Sequence, residues 1–240
     1  MSISCDMLKV LMIIDPALYQ KYSKEKVDAA VAFLNYRQVT ALPKEEIEGV
    51  PTLYVFRHGE TTDNHEMLFS GWRDVDLTEN GVKQAEVLAD KIKNKKFHML
   101  VTSDQRRAIR TMVIAVSKNE YAKNLEIVKD PRIKERSYGD LQGKSKLLLL
   151  LENPQLAHDY RRSYSVVPPN GESLEMVVKR VTPFIEELLP KMKEFNINVA
   201  VSCHGNSIRA IRQYLEHLSN EETAEIETPL GQDYAAYAIK

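Results

Sequence analysis

The sequence predicts an α/β fold in which a mostly parallel sheet is layered with helices. Two observations carry that reading. Beyond residue 51 the apolar periodicity switches repeatedly between the alternation of a strand and the three-to-four spacing of a helix. Two of the strands also end in the same way, with a His-Gly pair followed by polar residues and a helix, at His58–Gly59 and again at His204–Gly205.

Taken in order, residues 1–50 read differently from the rest. A short apolar run spans Val10 to Ile14, Asp15-Pro16 marks a helix start, and Val27, Val31 and Leu34 follow at helical spacing. Pro43 and Pro51 bracket a polar connector. The expected organisation is a partly helical N-terminal extension over 1–50 and one catalytic domain over 51–240. In that domain Leu53 to Phe56 is a strand, and Val82, Ala85, Leu88 and Ile92 mark a helix entered through Thr78. Phe97 to Val101 is a strand feeding "TSDQRRAIRTMVIAV", a helix expected to be capped by Ser103. Leu174, Val177, Val181, Phe184 and Leu188 form a further helical stripe, "NINVAVSC" a strand, and Ile208, Ile211, Leu215 and Leu218 another helix. The run Leu147 to Leu151 exceeds the stripe that one packed helix face requires, so part of it should face a partner, either the extension or the second subunit of a homo-oligomer, with core packing alone as the alternative.

Composition removes several function classes. With 33 basic and 34 acidic side chains the formal charge is −1, so no global field recruits nucleic acid or an anionic membrane. No aromatic-basic interleaving accompanies the arginine clusters either. No apolar run approaches the roughly 20 residues that span a bilayer. Cys5 and Cys203 are too few for a disulfide framework, and "MSISCDMLKVLMIID" lacks a secretory signal's basic start and cleavage site, so a reduced cytoplasm is expected.

In open α/β sheets, ligands bind beyond the carboxyl ends of strands, where helix N-termini offer free N–H groups. His58 and His204 both sit at such ends, although either one alone also fits a structural role. Arginines gather at the same ends: Arg57 closes a buried strand, Arg106, Arg107 and Arg110 follow "LVTS", and Arg161 and Arg162 stand in "YRRSY". Arginine forks pair bidentately with phosphate oxygens, so a phosphorylated substrate is indicated. Arg106 and Arg110 fit a solvated face with intrahelical ion pairs as well. No H-x-x-x-H or C-x-x-C spacing supports a metal site, and neither a P-loop nor GxGxxG occurs.

In order along the chain, "RHGE", "SGWRDVDLTENG", "TSDQRRAIRT", "KERSYGDLQG", "YRRSY", "PPNGESL" and "CHGNS" resemble the histidine phosphatase superfamily, and more narrowly its cofactor-dependent phosphoglycerate mutases. The resemblance covers about residues 52–237. It implies a three-layer sandwich, a mixed, mainly parallel central sheet flanked by helices. It also implies interconversion of 3-phosphoglycerate and 2-phosphoglycerate through a phosphohistidine, primed by 2,3-bisphosphoglycerate and without a metal.

The same resemblance makes His58 the nucleophile and surrounds the phosphoryl group with Arg57, Arg107 and His204, with Asn64, Gly205 and Asn206 nearby. Glu135 matches the proton donor, while Thr61, Ser70, Gly71, Tyr138, Lys146, Arg161 and Arg162 match positions that hold the rest of a phosphoglycerate. The chemistry is consistent. A histidine attacks phosphorus through an unprotonated nitrogen, and neighbouring arginines favour the neutral ring before stabilising the transferred group's oxygens. A carboxylic acid beside substrate phosphate should have a raised pKa, suiting Glu135 to protonate the leaving alkoxide. Its competing reading is an exposed ion pair with Arg132, Lys134 or Arg136.

Ser137 stands where the mutases commonly carry histidine, and the chain stops at Lys240 without the long C-terminal tail of many mutases, which favours water entry. A phosphatase using the same covalent step is therefore the alternative. A third reading, a degenerate site in which residues 1–50 recruit a partner, conflicts with intact His58, His204 and Glu135.

Overall fold

A computed structural model describes residues 14–35 and 41–240. Of the expected Val10 to Ile14 run, all but Ile14 lies outside the described residues. Along the chain come α1 (Ala17–Lys21), α2 (Lys24–Asn35), β1 (Thr52–Arg57), α3 (Thr62–His65), α4 (Glu79–Ile92), β2 (Met99–Thr102), α5 (Arg106–Val116) and β3 (Ile127–Lys129). They are followed by α6 (Lys146–Glu152), α7 (Pro154–Arg162), α8 (Leu174–Phe195), β4 (Val199–Cys203), α9 (Gly205–Glu216), α10 (Asn220–Glu225) and β5 (Tyr234–Ala238).

The sheet order is β3-β2-β4-β1-β5, parallel throughout except for β5, which runs antiparallel to β1. Successive strand residues point to opposite faces, so a strand buried on both sides must feed two cores. Leu53, Val55, Val101, Val199 and Val201 join Val177, Val181 and Phe184 of α8 and Ile208 and Ile211 of α9. Their neighbours Tyr54, Phe56, Leu100 and Ala200 turn the other way, onto Leu88 and Ile92 of α4 and Met112 and Ala115 of α5. Helices thus cover both faces, and the three-layer α/β sandwich follows.

β5 escaped the periodicity reading because "YAAYA" is mostly alanine and carries no strong alternation. Its outer edge is covered by the polar connector: Ala236 N–H donates to the Pro43 carbonyl at 2.8 Å and Glu45 N–H to the Ala236 carbonyl at 2.9 Å. The α9 helix ends at His217, whose φ of 54° breaks the helical path, so Leu218 lies beyond it. Thr78 does cap α4, accepting from Gly81 N–H. Ser103 is not the cap of α5: Gln105 occupies that position, and the Ser103 hydroxyl turns to His204.

The N-terminal helices pack on the leucine run. Val27, Ala30, Val31 and Leu34 of α2 are buried with Ile14, Leu147 and Leu151, while Leu150 packs partly against them and Leu148 remains exposed. The expectation that part of the run faces the extension is therefore met by Leu147 and Leu151. Each such side chain contributes on the order of 1.5–3 kcal/mol when fully buried. Lys26 Nζ adds a bond to the Leu151 carbonyl at 3.2 Å. No helix among the described residues is long and apolar enough to cross a membrane.

Candidate active site

Because β1 and β4 are adjacent, parallel and paired at Arg57 with Cys203, the residues that follow emerge side by side at the carboxyl edge of the sheet. These are His58 and His204. His58 N–H donates to the Cys203 carbonyl at 3.1 Å, and the two buried rings lie 5.1 Å apart. Gly59 lets the chain turn here under tight packing: a Cβ at this position would stand 2.3 Å from the Gly81 carbonyl oxygen. The backbone that approaches Gly59 so closely is the start of α4.

Hydrogen bonds fix both tautomers. His58 Nδ1 is 2.7 Å from the Gly59 carbonyl, which can only accept, so Nδ1 carries the proton and Nε2 keeps its lone pair. Arg107 Nε donates to that Nε2 at 3.3 Å and to His204 Nδ1 at 3.2 Å. His204 therefore holds its proton on Nε2 and donates to Ser103 Oγ at 2.7 Å. Burial and then the Arg107 charge hold the His204 pKa well below its ordinary value, so the ring stays neutral. Arg107 itself is planted by bonds from its terminal nitrogens to the Arg73 and Gly71 carbonyls, both 2.8 Å. Burial lowers its pKa to about 10, with the Glu135 charge opposing, and it remains cationic at neutral pH.

Glu135 is buried at 7% exposure, which removes the exposed ion-pair reading. Its Oε1 accepts from Asn206 N–H at 3.2 Å, Asn206 Nδ2 at 2.9 Å and Arg136 N–H at 2.8 Å. All three of these bonds fall on Oε1. The backbone is held as firmly: Glu135 N–H donates to Gln105 Oε1 at 2.9 Å, and the carbonyl accepts from Trp72 Nε1 at 2.8 Å and an Arg180 terminal nitrogen at 2.9 Å. The raised pKa expected of Glu135 belongs to a carboxyl beside substrate phosphate; the protein's own groups act the other way. Burial raises it, but the charges of Arg57 and Arg107 and the bond from Asn206 outweigh burial and leave the carboxyl below its usual value.

A pocket opens over these groups, lined by Arg57, His58, Arg107 and Glu135 near the sheet and by Asn64, Ser70, Gly71, Tyr138, Gly205 and Asn206 around them. Lys146, Arg161 and Arg162 line it as well. Ser70 Oγ is buried and without a protein partner among the described residues, which leaves it for a ligand. His204 does not line this pocket; it braces Arg107 from behind. Thr61 is a correction. It is fully buried, caps α3 and exchanges hydrogen bonds with Asn64, so its hydroxyl is consumed in the fold and does not line the pocket. Arg106 and Arg110 are solvated, as their alternative reading held, but they pair with Asp74 and Asp76 of the loop between α3 and α4 and not within their helix.

Sequence reasoning passed over Arg209, Glu227, Thr228, Leu34 and Asn35, all of which line the pocket. Arg209 had a readable signal, one helical turn after Asn206; its Nη1 lies 3.5 Å from Asn206 Oδ1. Glu227 had none, because it comes from the loop before β5. It pairs with Arg162 and lies 3.6 Å from Arg209, and although burial opposes ionisation, these arginines lower its pKa to about 2.

The ligand atoms of His58, Glu135 and His204 lie within 4.8 Å of one another, a proximity that the spacing argument about metals could not see. Yet the lone pairs of both rings already receive the Arg107 N–H. A metal cation there would meet a guanidinium at hydrogen-bond distance, whereas an anion would be attracted by it. Nucleophilic ring nitrogen, flanking guanidiniums and a nearby carboxyl oxygen can together transfer a phosphoryl group.

Comparisons with known proteins agree with this geometry. The 2,3-bisphosphoglycerate-dependent phosphoglycerate mutase of Cytophaga hutchinsonii is 38% identical over 184 residues, covering 76% of this chain and 85% of that protein. The phosphoglycerate mutase of Schizosaccharomyces pombe is 36% identical, covering 77% and 89%. Among solved structures, a mycobacterial glucosyl-3-phosphoglycerate phosphatase superposes with a TM-score of 0.68 at 25% identity over 78% of this chain and 89% of that one. The α-ribazole phosphatase of Shigella flexneri shares the fold, with a TM-score of 0.66 at 24% identity over 77% and 89%. Residues 53–236 match the family described as Histidine phosphatase superfamily (branch 1), and the chain belongs to that family.

Proposed function

We propose that this enzyme interconverts 3-phosphoglycerate and 2-phosphoglycerate through phospho-His58, with 2,3-bisphosphoglycerate as the phosphoryl primer. The observation that carries the reading is a second group of cations, Lys146, Arg161 and Arg162, in the same pocket as His58. A mutase must hold an anion at both ends of a bisphosphorylated intermediate while it turns over, whereas hydrolysis of a simple phosphomonoester needs only one clamp.

In this mechanism the primer first phosphorylates His58: the Nε2–P bond forms as the primer's P–O bond breaks, protonated Glu135 gives its proton to the leaving oxygen, and the phosphoglycerate formed departs. A bound phosphoglycerate then offers its free hydroxyl to phosphorus; Glu135 Oε2 accepts the hydroxyl proton as the new P–O bond forms and the Nε2–P bond breaks. The bisphosphorylated product turns over in the pocket. His58 Nε2 attacks the other phosphorus, its P–O bond breaks, and Glu135 returns the proton to the leaving oxygen. Arg57 and Arg107 stabilise the charge on the equatorial oxygens throughout. The low pKa that Arg57 and Arg107 give Glu135 against burial suits the proton-accepting half; the negative charge of bound phosphate counteracts the arginines and raises it for the donating half.

A phosphatase reading is favoured by one observation: the superposed structures at comparable coverage are named as phosphatases. Incubating the protein with 3-phosphoglycerate, with and without primer, separates the two. Primer-dependent formation of 2-phosphoglycerate faster than release of inorganic phosphate supports the mutase. Broad phosphomonoester hydrolysis without interconversion overturns it in favour of the phosphatase.

A further inference from the structure

The N-terminal helices lie outside the family match at 53–236, yet they reach the pocket. Leu34 and Asn35, the last two residues of α2, are part of its lining. Their neighbours are the elements of the distal cation group. Phe33 places its ring 6.0 Å from the Arg161 guanidinium carbon. Lys146 begins α6, whose Leu147 and Leu151 are buried against α2, and Met67, another lining residue, packs on the same apolar cluster. The contact is anchored in three ways: the apolar cluster, the Lys26 bond to the Leu151 carbonyl at 3.2 Å, and the Lys21–Glu152 ion pair at 3.1 Å. Burial is the main cause holding the Arg161 pKa below its ordinary value.

We infer that α2 is a specificity wall for the alcohol end of the substrate. This deepens the proposed reaction and rests on the reading that His58 accepts phosphate while Lys146 and Arg161 face the remainder of the molecule. Leu34 and Asn35 occupy space that a bulky leaving group would need, so the pocket takes a small, acidic alcohol such as a glycerate and rejects large apolar ones. Leu34 is buried in the cluster and fixes the wall's position, whereas exposed Asn35 presents a short polar side chain to the ligand. Both roles are positioning or contact roles; no chemical step passes through α2.

The test compares turnover of a small substrate, 3-phosphoglycerate or glycerol phosphate, with that of a bulky one, naphthyl phosphate, in the full-length protein. Val27→Asp and Val31→Asp place a charge in the α2 contact, away from the pocket lining. The expected result is a rise of at least about tenfold in the bulky-to-small ratio of kcat/KM, a size of effect typical of a changed pocket wall. An unchanged ratio in folded variants overturns the inference. Asn35→Ala and Asn35→Trp, at an exposed position that does not endanger folding, should move the same ratio up and down respectively. If neither moves it, α2 is not a wall. Wild-type protein that hydrolyses phosphomonoesters without interconverting phosphoglycerates defeats the mutase reading, while the size ratio still reads out the wall.

Discussion

Arg107 Nε stands 3.3 Å from His58 Nε2, the one ring nitrogen left with a lone pair once Nδ1 is committed to the Gly59 carbonyl. In the proposed reaction, the guanidinium that binds the incoming phosphate therefore touches the atom that attacks it.

The phosphoenzyme should carry phosphorus on Nε2 of His58. It should be labile in acid and stable in base, since a phosphoramidate hydrolyses once its nitrogen is protonated. Phosphorus NMR of the trapped species checks the position, and His58→Ala should abolish both label and turnover. Labelling that persists in that variant would sink the assignment.

Arg107→Lys keeps a positive charge but loses the fork that joins the Gly71 and Arg73 carbonyls to both histidine rings. Turnover should fall by roughly 10²–10³-fold, the usual cost of losing a preorganised donor at the developing charge. Arg106→Ala, on an exposed arginine paired with Asp74, should change it by no more than about twofold. Equal losses in the two variants would contradict the division between them.

Glu135→Gln should lower turnover by about 10²–10⁴-fold while phosphate affinity is largely kept. The low pKa that Arg57 and Arg107 give Glu135 against burial adds a second expectation: binding of phosphate or vanadate should draw a proton onto it. Calorimetry in buffers of different ionisation enthalpy measures that uptake, which should shrink in Glu135→Gln. Identical uptake by both proteins would assign the proton elsewhere.

Stability should fall as pH drops. The folded His204 pKa lies well below the value of about 6.5 in an unfolded chain, so below that value the unfolded state binds a proton that the folded state does not. Below about pH 6.5 the slope from this one group is bounded by about 1.4 kcal/mol per pH unit. Denaturant melts across that window should show a shallower dependence for His204→Gln than for the wild type; parallel curves would mean that His204 is protonated in the fold.

Prolonged chelation should leave the rate unchanged, because Arg107 lies between the nitrogens that a metal would need. Activity lost to a chelator and restored by zinc or magnesium would count against the mechanism.

The sequence alone determined the sheet's central strands, since "TLYVFR" and "VAVSC" are apolar on both faces and must be buried between layers of helices. It also marked His58, Arg57 and His204, because polar residues at the ends of such strands have little structural reason to be there. What it could not reach depends on distance in space. Nothing in the local pattern says that β4 inserts between β1 and β2, yet only that order sets His204 beside His58, and only the packed site could bring two arginine charges near Glu135 and lower its pKa against burial. Thr61 read as a ligand because its motif matched, whereas its hydroxyl is spent on Asn64. Glu227, Asn35 and the cover over Leu147 and Leu151 come from segments far apart in the chain. Periodicity reports how a residue faces its own element; which elements then meet is set by the burial of all their apolar faces at once, and the tertiary structure alone decides it.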